Sequence, residues 1–464
     1  MSTFYNTIKT SKVKYFWIYI IAIVASLGGL LSGFDTGVIS GALLFINETW
    51  QMSSWEQGWI VSSAIVGAVI GAAMNGKLSD IYGRKKIIVV TGIIFAVGSI
   101  MCGYASTPMW LIISRAIIGL AVGMVNFVVP LYLSEIAPQR IRGMLVSLYQ
   151  LAITAGILFS YLINRIFANF EFNWRWMLGA GLVPAIILLI GICFLGDTPR
   201  WLVIKKREKE AKEIFLKINP EDNAEAHISE IKATISDSGK KTKSIFESWM
   251  LMPVFVGIGM MFMQICTGIN TIIFYTTTIF KMSGFADNIS AIYATIGIGA
   301  VNFLMTFVAI FFVDKWGRKP LLYIGLWGIL FSLTSLGAAF YFADILGDNL
   351  KWIAVGSVVI YIMSFAMSLG PVGWIMVSEI LPLQIRGFAM SVCTVANFAF
   401  NFIVVLSFLP LIHSIGEAYT FWIFSVITIL CLFFTYYFVP ETKGISLEKI
   451  EQNWKNKIPA RRFN

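Results

Sequence analysis

The decapeptide SEIAPQRIRG at residues 134–143 recurs as SEILPLQIRG at residues 378–387. Each copy follows one long apolar run and precedes another, so we expect it to form a short polar loop between two hydrophobic segments. A second pair, DIYGRK at 80–85 and DKWGRK at 314–319, stands in the same order along the chain. These repeated landmarks predict two related halves with the same orientation, as in a parallel internal repeat.

The segments around these landmarks are apolar enough to lie in lipid. Of the 464 residues, 58% are hydrophobic and only 13% are charged, whereas soluble domains carry about 25% charged residues. Runs long enough to cross a bilayer as helices lie near 17–45, 56–76, 87–106, 109–133, 143–167, 175–195, 250–280, 289–313, 320–345, 352–378, 388–411 and 418–439. The predicted fold is an all-α integral membrane protein with twelve transmembrane helices in two six-helix halves. The first and seventh runs exceed a minimal span, which predicts tilt or a local break.

The distribution of basic residues predicts the orientation. All but five of the 35 Lys and Arg residues lie in the termini or in loops on the same side, which predicts a multi-pass protein of the cell membrane with both termini cytoplasmic. The net charge of +10 is therefore a topology signal, and we expect no nucleic-acid partner. The five cysteines lie in apolar runs without CxxC spacing, so neither a disulfide framework nor a zinc site is expected. No cofactor is expected either.

These patterns divide the chain into five segments. They are a cytoplasmic N-terminus at 1–16, an N-terminal six-helix half at 17–195, a cytoplasmic central loop at 196–249, a C-terminal six-helix half at 250–439 and a cytoplasmic tail at 440–464. Within the central loop, apolar residues at helical spacing predict short amphipathic helices at 205–218 and 224–235. A solvated linker between the halves is the alternative.

Several motifs together resemble the sugar porter family of the major facilitator superfamily, over essentially the whole chain. They are GKLSDIYGRKK at 76–86, the SEI…IRG pair, NWRWML at 173–178, DTPRWL at 197–202, QICTGIN at 264–270 and VPETKG at 439–444. The match to family members that are proton-coupled bacterial symporters implies a monosaccharide substrate, a hexose or a pentose. One departure is Asp197, where the family commonly has Glu.

A sugar site in a membrane needs neutral hydrogen-bonding groups and an aromatic face within apolar walls. The spans carry several amides, and the alternative interpretation of each is a helix–helix contact, since membrane amides often join neighbouring helices. The resemblance implies that the sugar contacts are Gln150, Gln264, Asn270, Asn302, Trp374 and Asn397. It also implies that Phe274 and Tyr275 close the site from outside, whereas Asn401 is interpreted as a helix–helix contact. Ile265 and Phe398 depart from the family pattern, and Ile265 leaves the identity of the sugar open.

Two charged residues lie inside the apolar runs. Asp35 is predicted about ten residues from the outer end of the first run and Arg115 about six from that of the fourth, depths of roughly 15 and 9 Å. Their side chains are therefore expected to meet, and an ionised group in a span indicates function by default. A structural salt bridge is the alternative. The resemblance favours proton coupling, because proton-coupled family members have Asp at this point.

A further set of charges lies at the predicted cytoplasmic ends of the spans. The resemblance implies that this set holds the halves together when the site faces outward: Asp80, Arg84, Glu135, Arg142 and Arg200, with Asp314, Arg318, Glu379, Arg386 and Glu441. As exposed surface pairs they would contribute little.

The sequence thus predicts proton-coupled uptake of a monosaccharide by alternating access, by a monomer in the lipid bilayer. A facilitated-diffusion uniporter is the nearest alternative, and a membrane sugar sensor a more remote one. An enzyme is not expected, since the sequence has only two histidines, His227 and His413, and shows no nucleotide-binding loop or metal cluster.

Overall fold

The computed structural model describes the backbone of residues 2–137, 141–218, 225, 228–229, 231–232, 248–382 and 385–463. Within these ranges the side chains of residues 2–17, 142, 146, 217–218, 310–311 and 313–314 are not described. Each statement below refers to the remaining residues.

Twelve helical spans in these ranges are long and apolar enough to cross a membrane, as the sequence predicts. In order, they are Ser2–Trp50, Ser54–Tyr82, Arg84–Gly103, Pro108–Ile136, Arg142–Phe167, Asn173–Gly179 with Leu182–Cys193, Leu251–Cys266 with Ile269–Met282, Asn288–Trp316, Arg318–Tyr341, Leu350–Met367 with Leu369–Ile380, Arg386–Ile415 and Glu417–Phe438. We number them as spans 1 to 12. The end of the bundle that carries both termini is called the inner end, and the opposite end the outer end.

Several helices run beyond the apolar runs that predict them. Span 1 continues to Trp50 instead of residue 45, and spans 2 and 4 continue to Tyr82 and Ile136 at the inner end. A hydropathy pattern places the end of a span where polar residues begin. The helix itself can continue past that point until a cap satisfies its terminal backbone groups. Asp35 therefore lies farther from the end of its helix than the sequence predicts.

The sequence predicts tilt or a break in spans 1 and 7, and of these two only span 7 is broken. Its two helices meet at Thr267 and Gly268, and the φ of +100° at Gly268 is one that glycine adopts readily. The Tyr361 hydroxyl on span 10 donates to the Thr267 carbonyl at 2.9 Å, which fixes the break. Span 10 breaks similarly at Ser368, just before Gly370 and Pro371. Span 1 is one continuous helix.

Span 1 packs directly against span 5 through its glycines. A Cβ atom added at Gly33 would lie 1.9 Å from the Ile153 carbonyl oxygen, and one at Gly41 would lie 2.5 Å from the Asn164 amide nitrogen. Gly29 and Gly37 face the same helix. The small residues therefore allow the two backbones to touch, a common packing mode in membranes.

Short helices cover the inner end. Pro199–Ile204 and Glu208–Ile218 pack around buried Trp201 and Ala211, and the second helix falls within the predicted stretch 205–218. Most of the predicted stretch 224–235 lies outside the described residues. The tail forms an amphipathic helix, Leu447–Lys455, which the sequence analysis does not predict.

Candidate functional site

Two of the predicted sugar-binding amides contact each other at the break in span 10. The Asn397 side-chain nitrogen donates to the Gln264 side-chain oxygen at 3.0 Å. The Gln264 nitrogen donates to the Leu369 and Gly370 carbonyls, each at 3.3 Å. These carbonyls belong to the first turn of the helix that follows the break, so the Gln264 amide adds a second hydrogen bond to each and holds span 7 against the start of that helix. Gln264 and Asn397 thereby join spans 7, 10 and 11.

Gln150 and Asn302 lie on facing helices of the two halves. One turn beyond each of them, Thr154 on span 5 and Thr306 on span 8 contact each other at 3.4 Å. Residues four apart share a helix face, so Gln150 and Asn302 lie on the faces that the two halves turn toward each other. Gln150 is exposed, whereas Asn302 is buried.

The other two predicted sugar contacts flank the helix breaks. Asn270 is half-buried in the first turn after Gly268, and Trp374 follows the break of span 10 with 40% of its surface exposed. Asn401 is buried on span 11, and its side-chain oxygen has no hydrogen-bond partner. This oxygen therefore provides no hydrogen bond to support the interpretation of Asn401 as a helix–helix contact.

Asp35 and Arg115 form a buried ion pair, so their predicted proximity is confirmed. The Arg115 Nη1 atom lies 3.1 Å from Asp35 Oδ1, and the Arg115 side chain is fully buried. Its Nε donates to the Ile60 carbonyl on span 2 at 2.8 Å, which fixes the guanidinium. Desolvating two charges is costly unless they are paired and hydrogen-bonded, and here both conditions hold.

Three buried hydroxyls connect the two halves toward the outer end. The Ser40 hydroxyl on span 1 lies 2.9 Å from that of Thr277 on span 7, which lies 3.1 Å from that of Thr295 on span 8. Thr295 donates its proton to the Ala291 carbonyl and Ser40 accepts from the Thr277 N–H. The Thr277 hydroxyl therefore donates to Thr295, and the Ser40 hydroxyl donates to Thr277. We call these three residues the outer hydroxyl cluster.

Aromatic and surface contacts complete this closure. Tyr275 is fully buried, donates its hydroxyl to the Val405 carbonyl and stacks on Phe408, and Phe274 beside it is also buried. At the outer surface the Asn288 amide of span 8 donates to the Glu48 carboxylate of span 1 at 2.8 Å. The outer side of the bundle is therefore closed.

At the inner end, three of the predicted charges of the N-terminal half, Asp80, Arg84 and Glu135, form ion pairs. Arg84 lies 3.1 Å from Asp80 and 3.0 Å from Glu135, and the Thr198 hydroxyl donates to Glu135 at 2.5 Å. The Asp197 carboxylate accepts the backbone N–H of Arg84 at 2.9 Å, a favourable place for an acid at a helix N-terminus. Asp197 has a shorter side chain than the Glu that the resemblance predicts here, and it still accepts the backbone N–H groups of Arg84 and Lys85.

The C-terminal half repeats this arrangement. Arg318 lies 3.0 Å from Glu379, the Thr442 hydroxyl donates to Glu379 at 2.5 Å, and Glu441 accepts the backbone N–H groups of Arg318 and Lys319. The structure therefore confirms the repeat predicted from the sequence.

For the remaining predicted inner charges, the structure shows no ion pair among the described residues. Arg386 donates to the Leu381 carbonyl of its own half at 3.4 Å, and Arg200 is exposed. The side chains of Arg142 and Asp314 lie outside the described residues.

The outer hydroxyl cluster and the Glu48–Asn288 contact are not among the residues that the sequence singles out. Serine and threonine hydroxyls in helices often bond to carbonyls of their own turn, so their presence in a span gives no signal of a contact across the molecule.

Comparisons with known proteins agree with this architecture. The sequence model of the Sugar (and other) transporter family matches residues 21–454. The galactose-proton symporter of Escherichia coli strain K12 is 40% identical over 442 residues, or 94% of either chain. The probable metabolite transport protein CsbC of Bacillus subtilis strain 168 is 40% identical over 445 residues, or 96% of either chain.

A solved structure, the inward-open conformation of the xylose transporter XylE from E. coli, superposes with a TM-score of 0.83. It is 31% identical in sequence, and the match covers 94% of this chain and 100% of that one. The resemblance to an inward-open state fits the closed outer side and the charge pairs confined to each half at the inner end. This chain therefore belongs to the sugar (and other) transporter family and has the twelve-span fold of the major facilitator superfamily.

Proposed function

We propose that this protein is a symporter that carries a monosaccharide, a hexose or a pentose, into the cell together with a proton, by alternating access. The observation that carries the proposal is the buried Asp35–Arg115 pair. A charge inside a membrane is costly and is retained chiefly where it moves ions, protons or substrates. Relatives of similar identity include proteins named galactose-proton and arabinose-proton symporters.

The sugar would bind between the halves, at the level of the helix breaks. The proposed contacts are the neutral amides and the indole already described: Gln150, Gln264, Asn270, Asn302, Asn397 and Trp374. Amides offer both donors and acceptors to sugar hydroxyls, and an indole provides an apolar face for the ring. None of these groups is charged, as a neutral substrate requires.

Alternating access would follow from rocking of the halves about this site. Phe274, Tyr275 and the outer hydroxyl cluster would separate when the outer side opens. In that state the predicted inner charges would hold the two halves together, although the ion pairs that Arg84 and Arg318 form here lie within their own halves. The predicted set comprises Asp80, Arg84, Glu135, Arg142, Arg200, Asp314, Arg318, Glu379, Arg386 and Glu441. Transport, and not catalysis, would be the protein's task.

The positive-inside rule supports cytoplasmic termini in the cell membrane, because the inner end carries nearly all Lys and Arg residues. The proposed halves at 17–195 and 250–439 would enclose the sugar site within a single chain, which supports a monomer.

Uptake by purified protein in liposomes tests the proposal. Radiolabelled hexoses and pentoses would be offered with and without an inward-directed proton gradient. We expect at least one sugar to accumulate above its external concentration only when the gradient is present. Equilibration without accumulation would instead identify a uniporter, and sugar binding without any flux would favour a sensor.

The outer hydroxyl cluster provides a test of the conformational cycle. Thr277→Val keeps the side-chain shape but removes the hydroxyl to which Ser40 bonds across the halves. Because a buried hydrogen bond contributes about 1 kcal/mol, we expect the population with an open outer side to rise several-fold. Hydrogen–deuterium exchange at the outer ends of spans 1 and 7 would therefore increase.

Two further variants control this experiment. Thr277→Ser keeps the hydroxyl and should restore slow exchange. Thr91→Val removes an equally buried hydroxyl that donates only to the Ile87 carbonyl of its own helix, so it should leave exchange at the outer ends unchanged. Equal exchange in Thr277→Val and wild type would remove the cluster from the gate.

A further inference from the structure

Two cations converge at the inner end of span 12 on residues that face lipid. The Arg461 guanidinium lies 5.6 Å from the centre of the Tyr437 ring and 5.9 Å from that of Tyr436. The Lys319 ammonium of span 9 donates to the Tyr436 carbonyl at 3.4 Å. Among the residues that the structure describes, neither cation forms an ion pair with a carboxylate. The nearby Glu441 carboxylate is occupied by backbone N–H groups.

The position of the two tyrosines shows what this site faces. Both rings are half-exposed in the last turn of span 12, below the exposed apolar side chains Val426, Leu430 and Phe433. An exposed apolar stripe on a membrane-spanning helix faces acyl chains, and tyrosine favours the boundary between acyl chains and headgroups. The two cations therefore lie at the depth of the lipid headgroups.

The tail holds Arg461 in place. Phe463 is buried and packs edge-on against Trp454, with the ring centres 4.7 Å apart. Ala460 is also buried. Because residues on both sides of Arg461 are anchored, its backbone is already ordered, and less ordering is needed when a ligand binds.

The repeat supplies an internal comparison. In the N-terminal half, Lys85 donates to the Cys193 carbonyl at the end of span 6 at 3.1 Å, as Lys319 does at the end of span 12. A lysine at the end of a helix is explained by the helix dipole alone. The C-terminal half adds a second cation and two tyrosine rings to this arrangement, and the dipole does not explain that addition.

We propose that Lys319, Arg461, Tyr436 and Tyr437 form a binding site for the headgroup of an anionic phospholipid. The guanidinium suits two oxygens of a phosphodiester, and the ammonium adds a point charge. The tyrosine rings would contact the glycerol region while the acyl chains lie along span 12. This site goes beyond the proposed transport function, and it depends only on the membrane-spanning fold.

Native mass spectrometry of the detergent-purified full chain tests the site with phosphatidylglycerol, phosphatidylcholine and inorganic phosphate. We expect phosphatidylglycerol to be retained in preference to phosphatidylcholine, and inorganic phosphate not to displace it. Because losing one charge-assisted hydrogen bond to a phosphodiester costs about a factor of ten or more, Arg461→Gln and Lys319→Gln should each weaken retention about ten-fold or more.

Two matched variants separate a defined site from diffuse positive charge. Arg462→Gln removes an exposed neighbouring cation, and Lys85→Gln removes the repeat counterpart of Lys319. Both should retain phosphatidylglycerol as wild type does. Equal weakening in all four variants, equal retention of phosphatidylcholine, or displacement by inorganic phosphate would each overturn the proposal.

Discussion

Asp35→Asn is expected to abolish sugar accumulation driven by a proton gradient while sugar binding persists. The asparagine keeps the shape of the side chain and can accept a hydrogen bond from Arg115, but it cannot bind and release a proton. If one proton accompanies each sugar, a gradient of one pH unit supplies about 1.4 kcal/mol and sustains about a tenfold concentration ratio. In the variant, the internal concentration should rise only to the external one.

The physical reason lies in what surrounds the carboxyl group. The proton affinity of a buried acid depends on the distance to its counter-ion and on its access to water. In this structure Arg115 lies 3.1 Å from Asp35 and is fixed by the Ile60 carbonyl, while the outer side above the pair is closed. Opening the outer side would change the access of water to the pair, and this change would couple proton binding to the conformational cycle.

Uptake into proteoliposomes measures the effect, and counterflow exchange in the same vesicles reports sugar binding and movement without a proton gradient. Asp344→Asn makes the same chemical change at an exposed outer carboxylate and should behave as wild type. If Asp35→Asn still concentrates sugar against its gradient, Asp35 is structural and the coupling proposal is wrong.

The sequence predicts the spans and their repeat because both have strong local signals. Lipid requires about twenty apolar residues per helix, and the inner motifs recur with almost the same letters. The repeated motifs also reflect a shared geometry, since Gly83 and Gly317 both adopt a positive φ, of 96° and 90°. A Cβ at Gly83 would lie 2.2 Å from the Asp197 carboxylate, which explains why a glycine precedes the arginine in this motif.

The contacts that depend on conformation were not predictable in the same way. Depth along two helices was enough to bring Asp35 and Arg115 together, because long side chains tolerate errors of several ångströms. The link from Ser40 to Thr277 depends on the exact rotation of two helices and on which side of the bundle is closed. The hydropathy pattern specifies neither the rotation of a helix nor the side of the bundle that is closed. The Arg461 site depends on a tail whose polar sequence gives no hint that Phe463 is buried.

Gln264→Leu is expected to weaken sugar binding by more than tenfold. The Gln264 amide contacts Asn397 and two carbonyls at the break in span 10, so it positions another proposed sugar contact and the helix that carries Trp374. Leucine has a similar volume but can neither position Asn397 nor form hydrogen bonds with sugar hydroxyls. A sugar hydroxyl left without its partner in a buried site costs about 1–3 kcal/mol of binding free energy, so an amide that bonds two hydroxyls contributes roughly 2–6 kcal/mol.

Equilibrium binding of the radiolabelled sugar to purified protein measures this loss, and thermal unfolding measures stability in parallel. Asn75→Leu is the matched control, because Asn75 is also a buried amide, and it joins spans 2 and 4 by donating to the Met124 carbonyl at 2.7 Å. Asn75→Leu should lower stability without changing sugar affinity, as a helix–helix contact would. Gln264→Leu should lower sugar affinity in addition to stability. If the two variants instead lose stability alike and both retain wild-type affinity, Gln264 is a helix–helix contact, and the sugar site must be sought on other side chains between the halves.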